Sequence, residues 1–168
     1  MSDANPRSAM SEEALAELKV RCFTLRLHDN MVLLVPNTLV AEVIDYRRVE
    51  GVKNQPAWVS GILSWRGRNV PLISYERMLG FEPGRGGEDR RHVILNTLNG
   101  NNRIPFVAMS IEGMPHLSMV DHTQLEYADE GEQQPVVLAR MRHNGELVMV
   151  PNLDVIEKLL AQLGITTA

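Results

Sequence analysis

Three stretches of this sequence have the pattern of a β-hairpin, in which two strand-like runs flank a short polar turn. The clearest is "VVLARMRHNGELVMVP", residues 136–151, where Asn144-Gly145 is a dipeptide that favours a two-residue turn with positive φ at both positions. The other two are residues 21–36, with Phe23, Leu25 and Leu27 alternating against polar neighbours, and residues 92–111. Three hairpins in one chain indicate a mainly β fold.

Helical patterns are fewer and shorter. Residues 152–163 have one apolar face, formed by Ile156, Leu159, Leu160 and Leu163, with a candidate cap at Asn152 and a candidate stop at Gly164. Shorter helices are predicted within a polar leader, residues 1–20, from Ser11 onward, from Pro56 to Gly61, and in "ERMLGF" at residues 76–81. The sequence therefore predicts many strands and one substantial helix, which lies at the C-terminus.

The length and composition fit one domain, or two small lobes that share a core. The chain has 168 residues, of which 44% are hydrophobic and 23% charged. A chain of this length can bury about 70% of the surface that it exposes when unfolded. No internal repeat of fixed period and no low-complexity tract is visible. A packed globular fold is expected.

Charge and cysteine content exclude several classes of protein. The net charge is −4, and no basic stripe is visible, which argues against a nucleic-acid partner. The single cysteine, Cys22, excludes an internal disulfide and a multi-cysteine metal site, and it favours a reducing compartment. No signal-peptide core and no apolar run of about 20 residues occurs, so we predict a cytoplasmic protein without direct membrane insertion.

A search for catalytic motifs finds none. The five histidines show no HxH or HExxH spacing, and Ser60 lacks the G-x-S-x-G context of a nucleophile elbow. The Gly-rich "GRGGED" lacks the spacing of a phosphate-binding loop. We therefore predict no catalytic, cofactor-binding or metal-binding residues. A pair of carboxylates that converges only in three dimensions remains an open alternative.

The stretch "GILSWRGRNVPLISY", residues 61–75, reads as two strands joined through a polar tetrad from Arg66 to Asn69. A tryptophan beside an arginine, followed by a glycine, is the composition of an interaction hot spot. A strand end with an exposed arginine beside a buried tryptophan explains the same letters. The pattern alone favours that second interpretation.

Three segments together resemble one known family. "LVAEVI" (39–44), "PAWVSGILSWRGRNVPLISYERMLGF" (56–81) and "GELVMVPNLDVIEKLL" (145–160) are similar, in order, to the CheW family of chemotaxis adaptors. The resemblance runs from about Phe23 to Leu160. It implies two small five-stranded, SH3-like β-barrel lobes that share a hydrophobic core, with the domain at residues 21–164 and a tail at 165–168.

The resemblance also implies a function and partners. Members of the family are not enzymes. They link the cytoplasmic tips of methyl-accepting chemoreceptors to the regulatory domain of a CheA-type histidine kinase in membrane-associated arrays, and other CheW-like adaptors are further candidate partners. The positions that the resemblance assigns to partner binding are Val40, Glu42, Val43, Trp65, Arg66 and Gly67. Glu42 corresponds to the receptor-facing glutamate of the family, and the resemblance implies that Glu42 and Arg66 lie beside a groove that accepts a receptor helix.

The sequence departs from the family pattern next to the arginine. Ser64-Trp65 stands where the family usually has Asn-Leu, and Ser74-Tyr75 stands where it usually has Asp-Leu. The second half diverges further, because "RIPFVAMSIEGMPHLS" (103–118) lacks the Gly and the Val-Asp that many members have there. Such divergence is similar to that of accessory adaptors of the ChpC kind, which belong to pilus-linked systems that control twitching motility. Two alternatives stay open: a β-barrel sensor that binds a small molecule between its lobes, and an enzyme with a dispersed active site.

Overall fold

The computed structural model describes residues 19–128 and 131–165. This part of the chain forms ten strands and two helices. The strands are β1 (Lys19–Arg26), β2 (Val32–Pro36), β3 (Val40–Asp45), β4 (Val59–Trp65), β5 (Arg68–Ile73), β6 (Arg90–Asn96), β7 (Phe106–Asp121), β8 (Leu125–Tyr127), β9 (Val137–His143) and β10 (Glu146–Pro151). The helices are α1 (Tyr75–Met78) and α2 (Leu153–Gln162).

The first lobe consists of β3, β4, β5, β6 and the beginning of β7. β6 lies between β3 and β7 and is antiparallel to both, while β5 pairs with β4 and also runs parallel to β7. The segment after β3 contacts β4, because the Arg47 guanidinium donates to the carbonyl of Ser64 at 3.1 Å. The side chains that these strands turn inward form a small core: Leu63, Trp65, Val70, Leu72, Ile94 and Ala108.

The long strand β7 connects the two lobes. Its residues up to Glu112 pair with β6, and from Glu112 onward it pairs with β1. Gly113, at the change of partner, has φ = 67°, a backbone conformation that glycine adopts without steric cost. One strand therefore belongs to both lobes.

The second lobe consists of the end of β7 followed by β1, β2, β10, β9 and β8. Its own core contains Cys22, Val32, Leu34, Val120 and Val148. A larger core lies between the lobes, where α1 and α2 also pack, and the completely buried Ile156 and Leu160 of α2 belong to it. The buried Tyr75 hydroxyl at the start of α1 donates to the carbonyl of Val136 at 2.8 Å. The predicted fold, two β lobes on a shared core with a C-terminal helix, is confirmed.

Local predictions met different outcomes. All three hairpins and the cap at Asn152, which accepts from the Val155 amide, are confirmed. The helix predicted from Pro56 to Gly61 is wrong, because β4 starts at Val59 and Gly61 is a strand residue. Gly61 serves close packing there: an added Cβ would overlap the carbonyl oxygen of Glu50.

Other predictions fall at the ends of the chain. The helix predicted from Ser11 lies outside the described residues. Of the tail predicted at residues 165–168, the structure describes only Ile165, which is buried in the core between the lobes. Within the described ranges, no helix is long and apolar enough to cross a membrane.

Candidate functional site

The Arg-Gly step of the central motif forms the turn between β4 and β5. Trp65 pairs with Arg68 across the hairpin, so the turn contains only Arg66 and Gly67, which is shorter than the predicted tetrad. Their φ angles are 48° and 72°, as in the two-residue turn that suits the twist of a hairpin. The glycine is therefore needed for its conformation, and Arg66 is presented at the tip with its side chain 69% exposed.

The turn lies against β3, where one carboxylate meets two donors. Glu42 Oε2 accepts from the Trp65 indole Nε1 at 2.5 Å and lies 3.2 Å from the Arg66 Nε atom. The two donors differ in environment, because Trp65 is buried and Arg66 is not. We call Glu42, Trp65 and Arg66 the Glu42 cluster. Its geometry holds the exposed guanidinium at a defined place next to β3.

Aromatic rings pack beside the guanidinium groups of the β4–β5 turn. Trp65 packs edge-to-face against Phe106, with 4.9 Å between the ring centroids. The Arg66 guanidinium lies 5.1 Å from the Trp65 ring centroid, and that of Arg68 lies 5.7 Å from the Phe106 ring centroid. Both arginines are thus placed over aromatic rings, within the range of cation–π attraction. Sequence reasoning missed Phe106, because it is distant in the chain and no local motif marks it.

Val40 and Val43 lie on a different side of β3 from the Glu42 cluster. They pack against the core between the lobes, opposite Leu95 and Val93 of β6. A register shift between Val40 and Glu42 brings the two valines to the same side, although their spacing is odd. The six sequence-predicted residues therefore divide into two groups, which the strand separates.

Further apolar side chains extend the surface of the two valines. Leu39 and Phe23 are half-buried against the core between the lobes, and the turn that contains Leu39 contacts β1. Phe23 lies directly opposite Leu117 of β7, which is 47% exposed. Met119, two residues further along β7 and therefore on the same face, is 49% exposed. We call Phe23, Leu39, Val40, Val43, Leu117 and Met119 the apolar surface.

A buried histidine stabilises the chain segment beside the cluster. His92 Nε2 lies 3.1 Å from the backbone nitrogen and 2.9 Å from the backbone oxygen of Arg47, and Nδ1 lies 3.2 Å from the Ser110 hydroxyl. Burial lowers the pKa of His92 below its ordinary value, although the hydrogen bond to Arg47 acts in the opposite direction. A neutral His92 therefore anchors the segment that follows β3.

The charged side chains of the described residues do not converge into a metal centre. In residues 19–128 and 131–165, no group of three or more His, Cys, Asp or Glu side chains has an arrangement that could hold a metal ion. The Glu42 cluster can bind a partner through hydrogen bonds and charge, at a surface that packs on the aromatic ring of Phe106.

Comparisons with known proteins agree with this architecture. The model of the CheW-like domain family matches residues 21–160. The crystal structure of scaffolding protein TtCheW from Thermoanaerobacter tengcongensis has a similar fold, with a TM-score of 0.67 and 15% sequence identity over 81% of this chain and 90% of that chain. No curated protein sequence matches this chain. The family match covers most of the sequence, and the chain belongs to the CheW-like domain family.

Proposed function

We propose that this protein is a non-enzymatic chemosensory adaptor that holds a chemoreceptor tip and the regulatory domain of a CheA-type histidine kinase together. The observation that carries the proposal is the Glu42 cluster, in which a buried indole and a half-buried carboxylate orient an exposed arginine. Such pre-organisation reduces the entropy that a side chain loses when a partner binds. Arginine and tryptophan are also the residues enriched at binding hot spots.

The division of the predicted residues suggests one surface for each partner. The apolar surface suits the apolar face of a receptor helix, since helix-in-groove contacts gain affinity from apolar anchors. The resemblance gives Glu42 to the receptor, but the Glu42 cluster lies on the side of β3 opposite to the two valines of the apolar surface. We therefore assign the Glu42 cluster to the kinase regulatory domain, where its charged groups would fix the orientation of the partner. Because Glu42 and Val43 point to opposite sides of β3, both partners can bind at once. An adaptor requires that property.

The sequence resemblance extends the proposal to location and output. The adaptor works in the cytoplasm, at membrane-associated receptor arrays, and contacts other CheW-like adaptors there. The divergence of residues 103–118 from the family pattern supports a pilus-linked system of the ChpC kind. Deletion of the gene should then abolish twitching and leave flagellar swimming intact.

Calorimetric titration with the kinase regulatory domain tests the charged surface. Wild-type protein should bind saturably, and Arg66→Ala should weaken the affinity at least about 30-fold, as expected for a hot spot worth about 2 kcal/mol. Arg85→Ala is the matched control, because Arg85 is an exposed arginine on the loop between α1 and β6. Equal affinities of the two variants would remove Arg66 from the interface, and a folded wild-type protein that does not bind would contradict the proposal.

A receptor-tip peptide tests the apolar surface separately. Met119→Glu places a charge among the apolar side chains and should abolish receptor binding while leaving kinase binding intact. Leu138→Glu is the control, since Leu138 is an exposed apolar residue in β9 of the same lobe. If both variants bind the receptor tip like the wild type, the apolar surface has a different role.

A further inference from the structure

A cavity of about 300 Å³ opens in the second lobe, away from the Glu42 cluster. It lies on the face of β1 and β7 opposite to the one that carries Phe23 and Leu117 of the apolar surface. Its wall includes Arg26 from β1, His116 and Ser118 from β7, and His143 and Glu146 from the last hairpin. Three separate parts of the chain therefore contribute polar side chains to one place. The volume is at the lower end of the range for ligand pockets, roughly 300–1,000 Å³, so only a small molecule fits.

Two residues of this wall carry buried polar atoms without a hydrogen-bond partner among the described residues. His143 Nε2 and Ser118 Oγ are both in this state, and the His143 residue is only 9% exposed. Leaving a polar group buried and unpaired costs about 1–3 kcal/mol, and native proteins contain few such groups. Two of them beside the same cavity indicate that the wall is arranged for something other than stability.

The strand pairing explains how these side chains come together. β7 lies beside β1, where His116 is opposite Thr24 and Ser118 is opposite Cys22. In the last hairpin, His143 is opposite Glu146, and the Glu146 carboxylate lies 3.5 Å from the Arg26 guanidinium. That contact is at the weak limit of a hydrogen bond, and a guanidinium has five N–H donors. Arg26 therefore keeps donors for a ligand.

The chemistry of the wall selects the ligand. Arginine, histidine and serine side chains all donate hydrogen bonds, and the guanidinium matches the oxygens of a carboxylate or phosphate in a bidentate geometry. The one carboxylate of the group, Glu146, lies 3.5 Å from the Arg26 guanidinium, whose positive charge offsets its negative charge. We propose that this cavity is a binding site for a small oxyanion, a carboxylate or a phosphate, in which His143, Ser118 and Arg26 donate to its oxygens. The site is independent of the adaptor role.

Titration of the full-length protein with sodium phosphate and, separately, with sodium succinate tests the site and distinguishes the two oxyanions. The side-chain and backbone resonances of His143 and Ser118 are followed by NMR, with the ionic strength kept constant by sodium chloride. Saturable shifts with one or both oxyanions are expected. His143→Phe and Arg26→Gln should each weaken the binding about tenfold or more, because each removes a hydrogen bond to a charged ligand.

Two controls make the result decisive. His122→Phe alters an exposed histidine of the same lobe that is not part of the cavity wall and should leave the affinity unchanged. Arg26→Gln changes an arginine whose side chain is 56% exposed, so it tests the site even if His143→Phe unfolds the lobe. The proposal is overturned if folded wild-type protein shows no saturable shift with either oxyanion. It is equally overturned if Arg26→Gln binds as tightly as the wild type.

Discussion

Glu42 and Arg66 form an ion pair, yet their removal should have different effects on the free energy of unfolding. Arg66→Ala removes a guanidinium whose side chain is 69% exposed, and exposed ion pairs contribute about 0–1 kcal/mol. Glu42→Ala also removes the acceptor of the Trp65 indole, which is 7% exposed and donates over 2.5 Å. A buried donor that loses a charged acceptor costs about 1.5–3 kcal/mol. Glu42→Ala should therefore be more destabilising by about 1–2 kcal/mol.

Equilibrium unfolding in urea, followed by circular dichroism, measures this difference directly. In a thermal scan, a loss of 2 kcal/mol corresponds to a decrease in Tm of roughly 4–8 °C for a chain of this size. Glu126→Ala is the matched control, because Glu126 is an exposed glutamate in β8 of the other lobe.

A double-mutant cycle isolates the hydrogen bond within the cluster. Trp65→Phe removes the indole donor and keeps an aromatic ring against Phe106. In that background Glu42→Ala should cost about 1–2 kcal/mol less than in the wild type, because the orphaned donor is gone. The reasoning is refuted if Glu42→Ala is no more destabilising than Arg66→Ala, or if Trp65→Phe leaves the cost of Glu42→Ala unchanged.

Three further predictions concern the frame around the site. Gly61→Ala should lower the urea midpoint strongly, because the added Cβ would overlap the Glu50 carbonyl oxygen. Gly51→Ala is the control and should leave the midpoint unchanged, since the space around Gly51 is open. Equal midpoints for the two variants would contradict the packing argument. The buried Glu157 carboxylate accepts from the Leu98 and Asn99 backbone amides at 3.2 and 3.3 Å. Glu157→Ala should therefore lower the free energy of unfolding by about 1–3 kcal/mol and accelerate hydrogen exchange at both amides. The control Lys158→Ala should do neither. Burial lowers the pKa of His92 below 6.5, so below about pH 6.5 the unfolded chain binds a proton that the folded chain does not, and stability falls. Urea midpoints at about pH 7.5 and 5.5 should therefore differ more for the wild type than for His92→Gln, and an equal pH dependence would be contrary evidence.

Much of the fold could be predicted because its signals are local. Asn144 and Gly145 adopt φ angles of 51° and 81°, which is what the Asn-Gly pair predicts for a hairpin turn. The cap at Asn152 and the ion pair between Asp154 and Lys158, 2.9 Å apart, depend on residues within four positions of each other. Such short-range preferences agree with the final structure.

The incorrect and missing predictions involve long-range contacts. Pro56 suggested a helix start and Gly61 a helix end, but pairing with β5 and the close approach of Glu50 determine the conformation there. The length of β7 was not foreseen, because its second half is defined by pairing with β1, about 90 residues away in the sequence.

The candidate site was only partly accessible from the sequence for the same reason. The resemblance selected Glu42 and Arg66, and the structure places them 3.2 Å apart. It did not show that Trp65 donates to Glu42, since the two are 23 residues apart. Nor did it show that Val40 lies on the same side of β3 as Val43, away from the cluster, which depends on the register shift between Val40 and Glu42.

The most direct test of the adaptor account is sedimentation of the three components together. Purified protein is mixed with the kinase regulatory domain and a soluble fragment of the receptor tip, and the masses of the complexes are measured by analytical ultracentrifugation. The account predicts one species that contains all three proteins, and Met119→Glu should release the receptor tip from it while the kinase domain stays bound. If the two partners compete, so that only two-component complexes form, the proposal that they bind at the same time on opposite sides of β3 is contradicted.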